Sequence, residues 1–370
     1  MRHSSYLEVN LGLLGQNYQR IQSLAPTAEI LPMVKSNAYG NGITTITQFL
    51  VRECGVKTLG CASLGEALHL FTEIPTLKAN LLVFSDTEIQ NQKMREAYLR
   101  LSITPVLHQK SDFEWMFGDP AMEKTPLILK INTGMNRLGL SASDLIEFLP
   151  LIKKRGIRHL MTHFARASDL LAPNDKTHRQ FQEFKDIKKM LEDAGVEIQE
   201  TSVSNSGAIE QKFGVTETYV RPGLMLYGPP SVQDPYLWDG YQISKLVTKV
   251  LSSFQAKKGT PIGYGVNVAD KDCFIAVIPM GYGDGMVSYG PGTKVMVQGQ
   301  TGKIFGRISM DMAFLQFDPA AENYIKNDDV IELWNHDNRV IADIASQNKT
   351  IAYQLMCGIS NRIPRIYKVK

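Results

Sequence analysis

The chain has 370 residues, of which 44% are hydrophobic and 21% charged, with a formal net charge of +3. That is too apolar for disorder, and at this length one large barrel or two domains are expected. No dense basic cluster occurs, so neither nucleic acid nor an anionic membrane surface is an expected partner.

Up to about residue 228, short apolar runs that end in polar residues alternate with amphipathic stretches. The runs are "EILPMVKS", "TLGCASL", "ANLLVFS", "ITPVLH", "PLILKINTG", "RHLMTHFA", "ETSVSNSGA" and "TYVRPGLMLYG". The clearest helix is "HRQFQEFKDIKKMLEDAG", in which Phe181, Phe184, Ile187, Met190 and Leu191 share one face and Gly195 stops the turn. Strand alternating with helix about eight times predicts a TIM-type (β/α)₈ barrel. An open doubly wound sheet is the other fold with this rhythm, but its GxGxxG first turn is missing. The Pro- and Gly-rich segment "YGPPSVQDPY" reads as a domain boundary. The predicted barrel therefore spans 1–230 and a second domain 231–370. In that second part "SKLVTKVLSSFQAK", "CFIAVIPMGYG", "TKVMVQGQTGKIFGRISM", "AFLQFD" and "DDVIELWN" are strand-like. It is expected to be mostly β, with a late helix around "IADIAS" and "IAYQLM".

Four scattered cysteines, Cys54, Cys61, Cys273 and Cys357, form no CxxC and fit reduced, mostly buried thiols. The start "MRHSSYLEVN" lacks a signal-peptide apolar core, and no run reaches the ~18 apolar residues of a membrane span. A cytoplasmic protein is the expectation.

In such a barrel the chemistry belongs at the C-terminal ends of the strands. The first run ends in Lys35 and Tyr39, the fifth in Lys130, Asn132 and Arg137, and the sixth in His163. The seventh ends in Ser204, Asn205 and Ser206, and the eighth in Arg221 and Gly223. Singly, each has an ordinary reading: a snorkelling lysine, a core histidine, a surface ion pair, a Ser/Asn/Gly turn. His159 and His163 lack clustered acidic or cysteine partners, so no metal site is expected. Together the groups put two lysines, two arginines and a histidine at one mouth, which suits an anionic ligand. Backbone N–H groups at "SNSG" and after "RPG" could cradle a phosphate. A phosphate cofactor beside a strand-end lysine points to pyridoxal 5'-phosphate held covalently by that lysine.

"MVKSNAYGNG" resembles the cofactor-lysine motif of alanine racemases. The resemblance extends through "KINTGMNRLG", "MTHFA", "SNSGA", "VRPGLMLYG", "IGYGVNV", "IPMGYGDG", "GRISMDM" and "IAYQLM", nearly the whole chain. It implies a barrel followed by a β domain, a homodimer with shared active sites, and interconversion of L- and D-alanine for peptidoglycan. By the resemblance, Lys35 carries the cofactor and is one α-proton base. Tyr264, contributed by the partner subunit, is the other. His163 and Arg221 assist Tyr264, and Arg221 faces the pyridine nitrogen. Because guanidinium cannot accept a hydrogen bond, it leaves that nitrogen unprotonated. Arg137 and the partner's Met310 bind the substrate carboxylate, and Lys130, carbamylated in many family members, braces Arg137. Tyr39, Asn205, Ser206, Gly223, Leu224 and Tyr353 hold the cofactor, and Tyr282 lines the substrate's way in.

Two places depart from the family pattern. Ser288 stands near a common arginine after "GYGDG", and Ser168 then Asp169 displace an acidic residue after "THFA". Both bear on substrate breadth, so a serine or broader-specificity racemase is the first alternative. A fold-related decarboxylase or aldolase needs no Tyr264, and a non-catalytic pyridoxal-phosphate protein needs no second domain.

Overall fold

The computed structural model describes residues 4–369. Eight strands form one parallel sheet: β2 (Glu29–Ile30), β3 (Thr58–Ser63), β4 (Asn80–Asp86), β5 (Ile103–Leu107), β6 (Ile128–Lys130), β7 (Ile157–Met161), β8 (Ile198–Ser202) and β9 (Tyr219–Val220). Neighbours follow chain order from β3 to β9, and β2 pairs with β9. A bridge between Met33 and Gly60 closes the ring, with Val34 N–H to Gly60 O and Gly60 N–H to Pro32 O both at 2.9 Å. The predicted (β/α)₈ barrel is present. Its strands are buried on both faces, as Leu81, Leu82 and Val83 of β4 are, which is why they read as continuous apolar runs.

The helix Lys176–Asp193 packs Phe184, Ile187 and Leu191 inward, with Phe181 and Met190 partly covered. Asp175 caps it by accepting the His178 N–H at 2.8 Å, and Gly195 (φ +80°) lets the chain turn away. The eighth run is shorter as a strand than its text suggests. β9 has two residues, and "LMLY" turns into the helix Leu224–Tyr227 because Pro222 and Gly223 interrupt the ladder.

The second part is mostly β, as expected. Five antiparallel strands run in the order β11 (Ser252–Ala256), β12 (Cys273–Ile278), β15 (Ala313–Phe317), β14 (Gln300–Phe305) and β13 (Lys294–Val297). A second sheet has the order β16 (Val330–Trp334), β10 (Ser244–Lys249), β1 (Tyr6–Asn10) and β17 (Arg365–Lys368). The first strand thus lies outside the barrel. It buries Leu7 and Val9 while Glu8 pairs with Lys368, the alternation of a one-sided sheet. The late helix is two helices, Asn338–Gln347 and Ala352–Cys357. Asn348 ends the first by donating to Ile344 O at 2.8 Å, and Lys349 takes a positive φ of 52°. No helix among the described residues is long and apolar enough to cross a membrane.

Candidate active site

A cavity of about 360 Å³ opens at the C-terminal ends of the barrel strands. Lys35, Tyr39, Lys130, Arg137, His163, Asn205, Ser206, Arg221, Gly223 and Tyr353 all line it. Leu224 lies in an adjoining recess that shares His163, Asn205 and Tyr353. Three residues named through the family resemblance line neither recess: Tyr264, Tyr282 and Met310, on loops of the β domain, are 69%, 47% and 58% exposed. Tyr264 occupies the tip of a hairpin closed by a bridge between Pro261 and Val268, and Asn267 Nδ2 donates to its carbonyl at 2.8 Å. Met310 and Tyr282 are neighbours, since Gly283 N–H donates to Met310 O at 2.8 Å.

Lys35 follows the Met33 bridge and begins a turn of uncommon conformation. Ser36, Asn37, Ala38 and Tyr39 have φ of 53°, 55°, 52° and 53°, a left-handed turn built from residues with side chains. Each such residue costs about 1 kcal/mol or more, so the surroundings must hold the turn. Asn37 Oδ1 accepts the Ile43 N–H at 2.8 Å. From the C-terminal sheet, Arg365 Nε donates to Gly40 O and the Tyr367 hydroxyl to Asn41 O, both at 3.1 Å. The turn swings Tyr39 back into the barrel, where its ring stacks on Tyr227 at 4.8 Å and leans on Tyr353 at 5.8 Å. A methyl on Gly223 would lie 2.1 Å from the Tyr39 hydroxyl, so glycine is required there for the phenol to reach the loop. Ser206 Oγ accepts the Gly223 N–H at 3.0 Å and thereby ties "SNSG" to "RPG".

The electrostatics are one-sided. Lys130 and Arg221 are 6% and 4% exposed. Burial, then Arg137, Arg221 and Lys35, push the Lys130 amine down to about 8. Burial and Arg137 lower the Lys35 amine, while Cys357 and Glu66 oppose them. His163 is held well below its ordinary value by burial and by four cations, Arg221 first, and so is neutral near pH 7. Burial brings the Arg221 guanidinium down to about 10, still protonated at neutral pH. It is held by Ser202 Oγ and the carbonyls of Thr162 and Val203, and Ser202 Oγ in turn bonds His159 Nε2 at 2.7 Å. His159 is therefore engaged in the wall behind Arg221. Among the described residues none of Lys35, Lys130, Arg137 and Arg221 forms an ion pair with a carboxylate.

These residues fit pyridoxal phosphate. The cavity is of small-ligand size, its unpaired cations call for an anion, and its lysine is biased toward the neutral amine that attacks a carbonyl. Tyr39 and Tyr353, the latter pushed up to about 12 by burial, remain hydroxyl donors. Phe84, Ser85, Thr162 and Ile351 also line the cavity, and the sequence reading passed over them. Phe84 and Ser85 lie in the last residues of β4, so inspecting the end of every apolar run would have found them.

Residues 9–230 match the family described as alanine racemase, N-terminal domain, and residues 243–367 match alanine racemase, C-terminal domain. The chain belongs to the alanine racemase family. The alanine racemase of Pasteurella multocida is 32% identical to it over 359 residues, covering 95% of this chain and 94% of its own length. Among solved structures, the alanine racemase of Acinetobacter baumannii superposes with a TM-score of 0.86 at 28% identity, covering 99% of this chain and 100% of its own. That of Bartonella henselae, solved with covalently bound pyridoxal phosphate, gives 0.86 at 25% identity, again covering 99% and 100%. As a member of the alanine racemase family the chain is an enzyme of the isomerase class. The family's reaction is alanine racemisation and its cofactor pyridoxal phosphate.

Proposed function

We propose that this enzyme interconverts L- and D-alanine on pyridoxal phosphate held at Lys35, with Lys35 and Tyr264 of a second copy as the two proton carriers. The barrel that follows β1, through about residue 230, binds the cofactor with help from Tyr353, and the β domain, which β1 joins, completes the site of the partner in a homodimer. The observation that carries this reading is the division of the site: the cationic cavity is lined by one chain, while Tyr264 and Met310 stand exposed and do not line it.

Pyridoxal phosphate, when bound, supplies the electron sink that makes an amino acid's α-proton removable. The rest falls to the chain's own groups. Racemisation needs an acid–base on each face of the planar α-carbon, and two different residues on opposite faces meet that need. The Lys35 amine, lowered by burial, carries a proton on one face. The Tyr264 phenol carries it on the other. His163 and Arg221 line the wall toward which that phenol would point: the Arg221 charge favours the phenolate, and neutral His163 favours it where its ring N–H donates to the phenol oxygen. The Arg221 guanidinium can donate but not accept a hydrogen bond, so beside the cofactor's ring nitrogen it would leave that nitrogen unprotonated and the sink weak, which would favour prompt proton return over transamination. Arg137, the exposed cation at the mouth, binds the substrate carboxylate together with Met310 of the second copy, and Tyr282 borders the path inward. Lys130, once carbamylated, braces Arg137 as an anion. The product serves peptidoglycan in the cytoplasm.

Subunit mixing tests this. Lys35→Ala and Tyr264→Phe should each be nearly inactive as racemases. Dissociated together and allowed to re-form, they give hybrids as about half of all dimers, each with one intact site. Activity should return to roughly a quarter of wild type. No return despite proven subunit exchange would refute the shared site.

A further inference from the structure

Glu66 lies in the first turn of the helix Leu64–Glu73, just after β3. Its Oε1 accepts the Ser36 N–H at 2.6 Å and its Oε2 accepts the Ala62 N–H at 2.8 Å. The carboxylate is itself fixed from behind, because the Glu66 N–H is capped by Ser63 Oγ at 3.2 Å. The first of these bonds lands on the residue immediately after Lys35, where the left-handed turn begins. The side-chain bonds from Asn37, Arg365 and Tyr367 hold the middle and end of that turn and the residues beyond it. Glu66 holds its start. With both oxygens given to backbone N–H groups, it is placed to fix geometry rather than to exchange protons with a substrate.

We propose that Glu66 is the positioning residue of the cofactor lysine: its carboxylate ties the strained Ser36–Tyr39 turn to the end of β3 and so aims the Lys35 amine into the cavity. The proposal rests on the reading of Lys35 as the cofactor lysine. A second effect accompanies the first. The charged and titratable groups around Lys35 are Arg137, Lys130, His163 and Arg221 from other strand ends, Tyr39 and Tyr353 in the wall, Cys357 from the helix Ala352–Cys357, and Glu66. Of these, Glu66 is the carboxylate. It favours the ammonium form and offsets part of what burial and Arg137 do.

The test uses the protein freed of pyridoxal phosphate and reads attachment rather than racemisation. Pyridoxal phosphate is added across a pH series, the adduct is trapped with borohydride at timed intervals, and the modified lysine is mapped by peptide mass. Glu66→Gln turns one acceptor oxygen into an N–H₂ that faces a backbone N–H, so one bond is lost and the charge disappears. Attachment at Lys35 should slow by about tenfold. The pH midpoint of attachment should also fall, because the negative charge that stabilised the ammonium is gone. Glu66→Asp keeps the charge but is one methylene too short to reach both N–H groups. It should slow attachment and leave the midpoint in place, and it serves as the folded variant if Glu66→Gln does not fold. Ser36→Gly added to either variant should recover part of the rate, since glycine adopts the left-handed turn without steric cost, and should leave the midpoint unmoved. Wild-type rates in both folded variants, or slowed rates that Ser36→Gly does not relieve, overturn the proposal. A wild-type adduct on a lysine other than Lys35 overturns the underlying reading, which the wild-type map reports separately.

Discussion

At the barrel mouth, Lys130 and Arg221 are buried and enclosed by their own chain, while on the β domain Tyr264, Met310 and Tyr282 stand in the open. The two regions carry opposite costs. Among the described residues the lining of the mouth gathers cations and no carboxylate, Glu66 sitting behind Lys35 with both oxygens on backbone N–H groups, an arrangement that opposes folding until an anion arrives. The β domain leaves large apolar and aromatic side chains uncovered, Val266, Val287 and Met312 besides those three, which is the mark of a surface that meets another molecule. A mouth that lacks an anion and a surface that lacks a cover are the two halves that a cofactor and a second copy would supply.

Breaking the barrel half should have the largest effect. Lys35→Ala should reduce racemisation by at least ~10⁴-fold, since it removes both the covalent hold and one proton carrier. Borohydride should then fix no pyridoxyl group in the cavity. Breaking the β-domain half should be separable from it. Tyr264→Phe should cost about 10²- to 10⁴-fold in rate, the usual range for one acid–base group, while attachment at Lys35 proceeds as in wild type. If attachment weakened in step with rate, Tyr264 would be acting on the fold of its own chain and the division between the halves would be wrong.

A third experiment sharpens the barrel side alone. Gly223→Ala drives a methyl into the Tyr39 hydroxyl, and the loop after β9 must yield because Tyr39 is wedged between Tyr227 and Tyr353. Cofactor affinity should fall about tenfold, the equivalent of roughly 1.4 kcal/mol. Adding Tyr39→Phe, which removes the colliding oxygen, should restore part of it. Equilibrium titration of the cofactor-free protein reads both changes.

The sequence made the barrel half legible and the joints between elements much less so. Apolar runs ending in Lys35, Lys130, His163 and Arg221 announce strand ends, and strand ends are where a barrel gathers its chemistry. Tyr264 was different: between two glycines it reads as a turn residue, and only the family resemblance singled it out. β1 was not assigned to a sheet because "YLEVN" alternates like any half-buried strand, and alternation does not say which sheet it joins. Nothing in "SNAY" announces four left-handed residues, because the conformation is imposed by Glu66, Arg365 and Tyr367, which are distant in the chain. Glu66 itself was hidden by an ordinary role, since an acidic residue in a first helical turn is what the helix dipole favours anyway.

The smallest expected effect concerns the cost of the mouth's positive charge in the cofactor-free protein. Lys130 is lowered from an ordinary 10.5 to about 8 by burial and its cationic neighbours. Below about 8 the amine is protonated both folded and unfolded, and the folded state bears the whole penalty. Between about 8 and 10.5 the folded chain has released the proton and the unfolded chain has not, so the unfolded state binds more protons and stability rises with pH. Above 10.5 both are neutral and the penalty is gone. From pH 7 to 9 the rise due to this group should be on the order of 1 kcal/mol. Lys35 and His163, also lowered, slope the same way in their own windows, so the wild-type curve alone does not isolate Lys130. Lys130→Met removes the titration while keeping an unbranched side chain of similar size. Urea unfolding of the two cofactor-free proteins should give Lys130→Met the higher stability at pH 7, with the gap closing as pH passes 8. Parallel curves would mean that solvent or a bound anion neutralises Lys130 even without the cofactor, and the mouth would then be less starved of negative charge than its side chains imply.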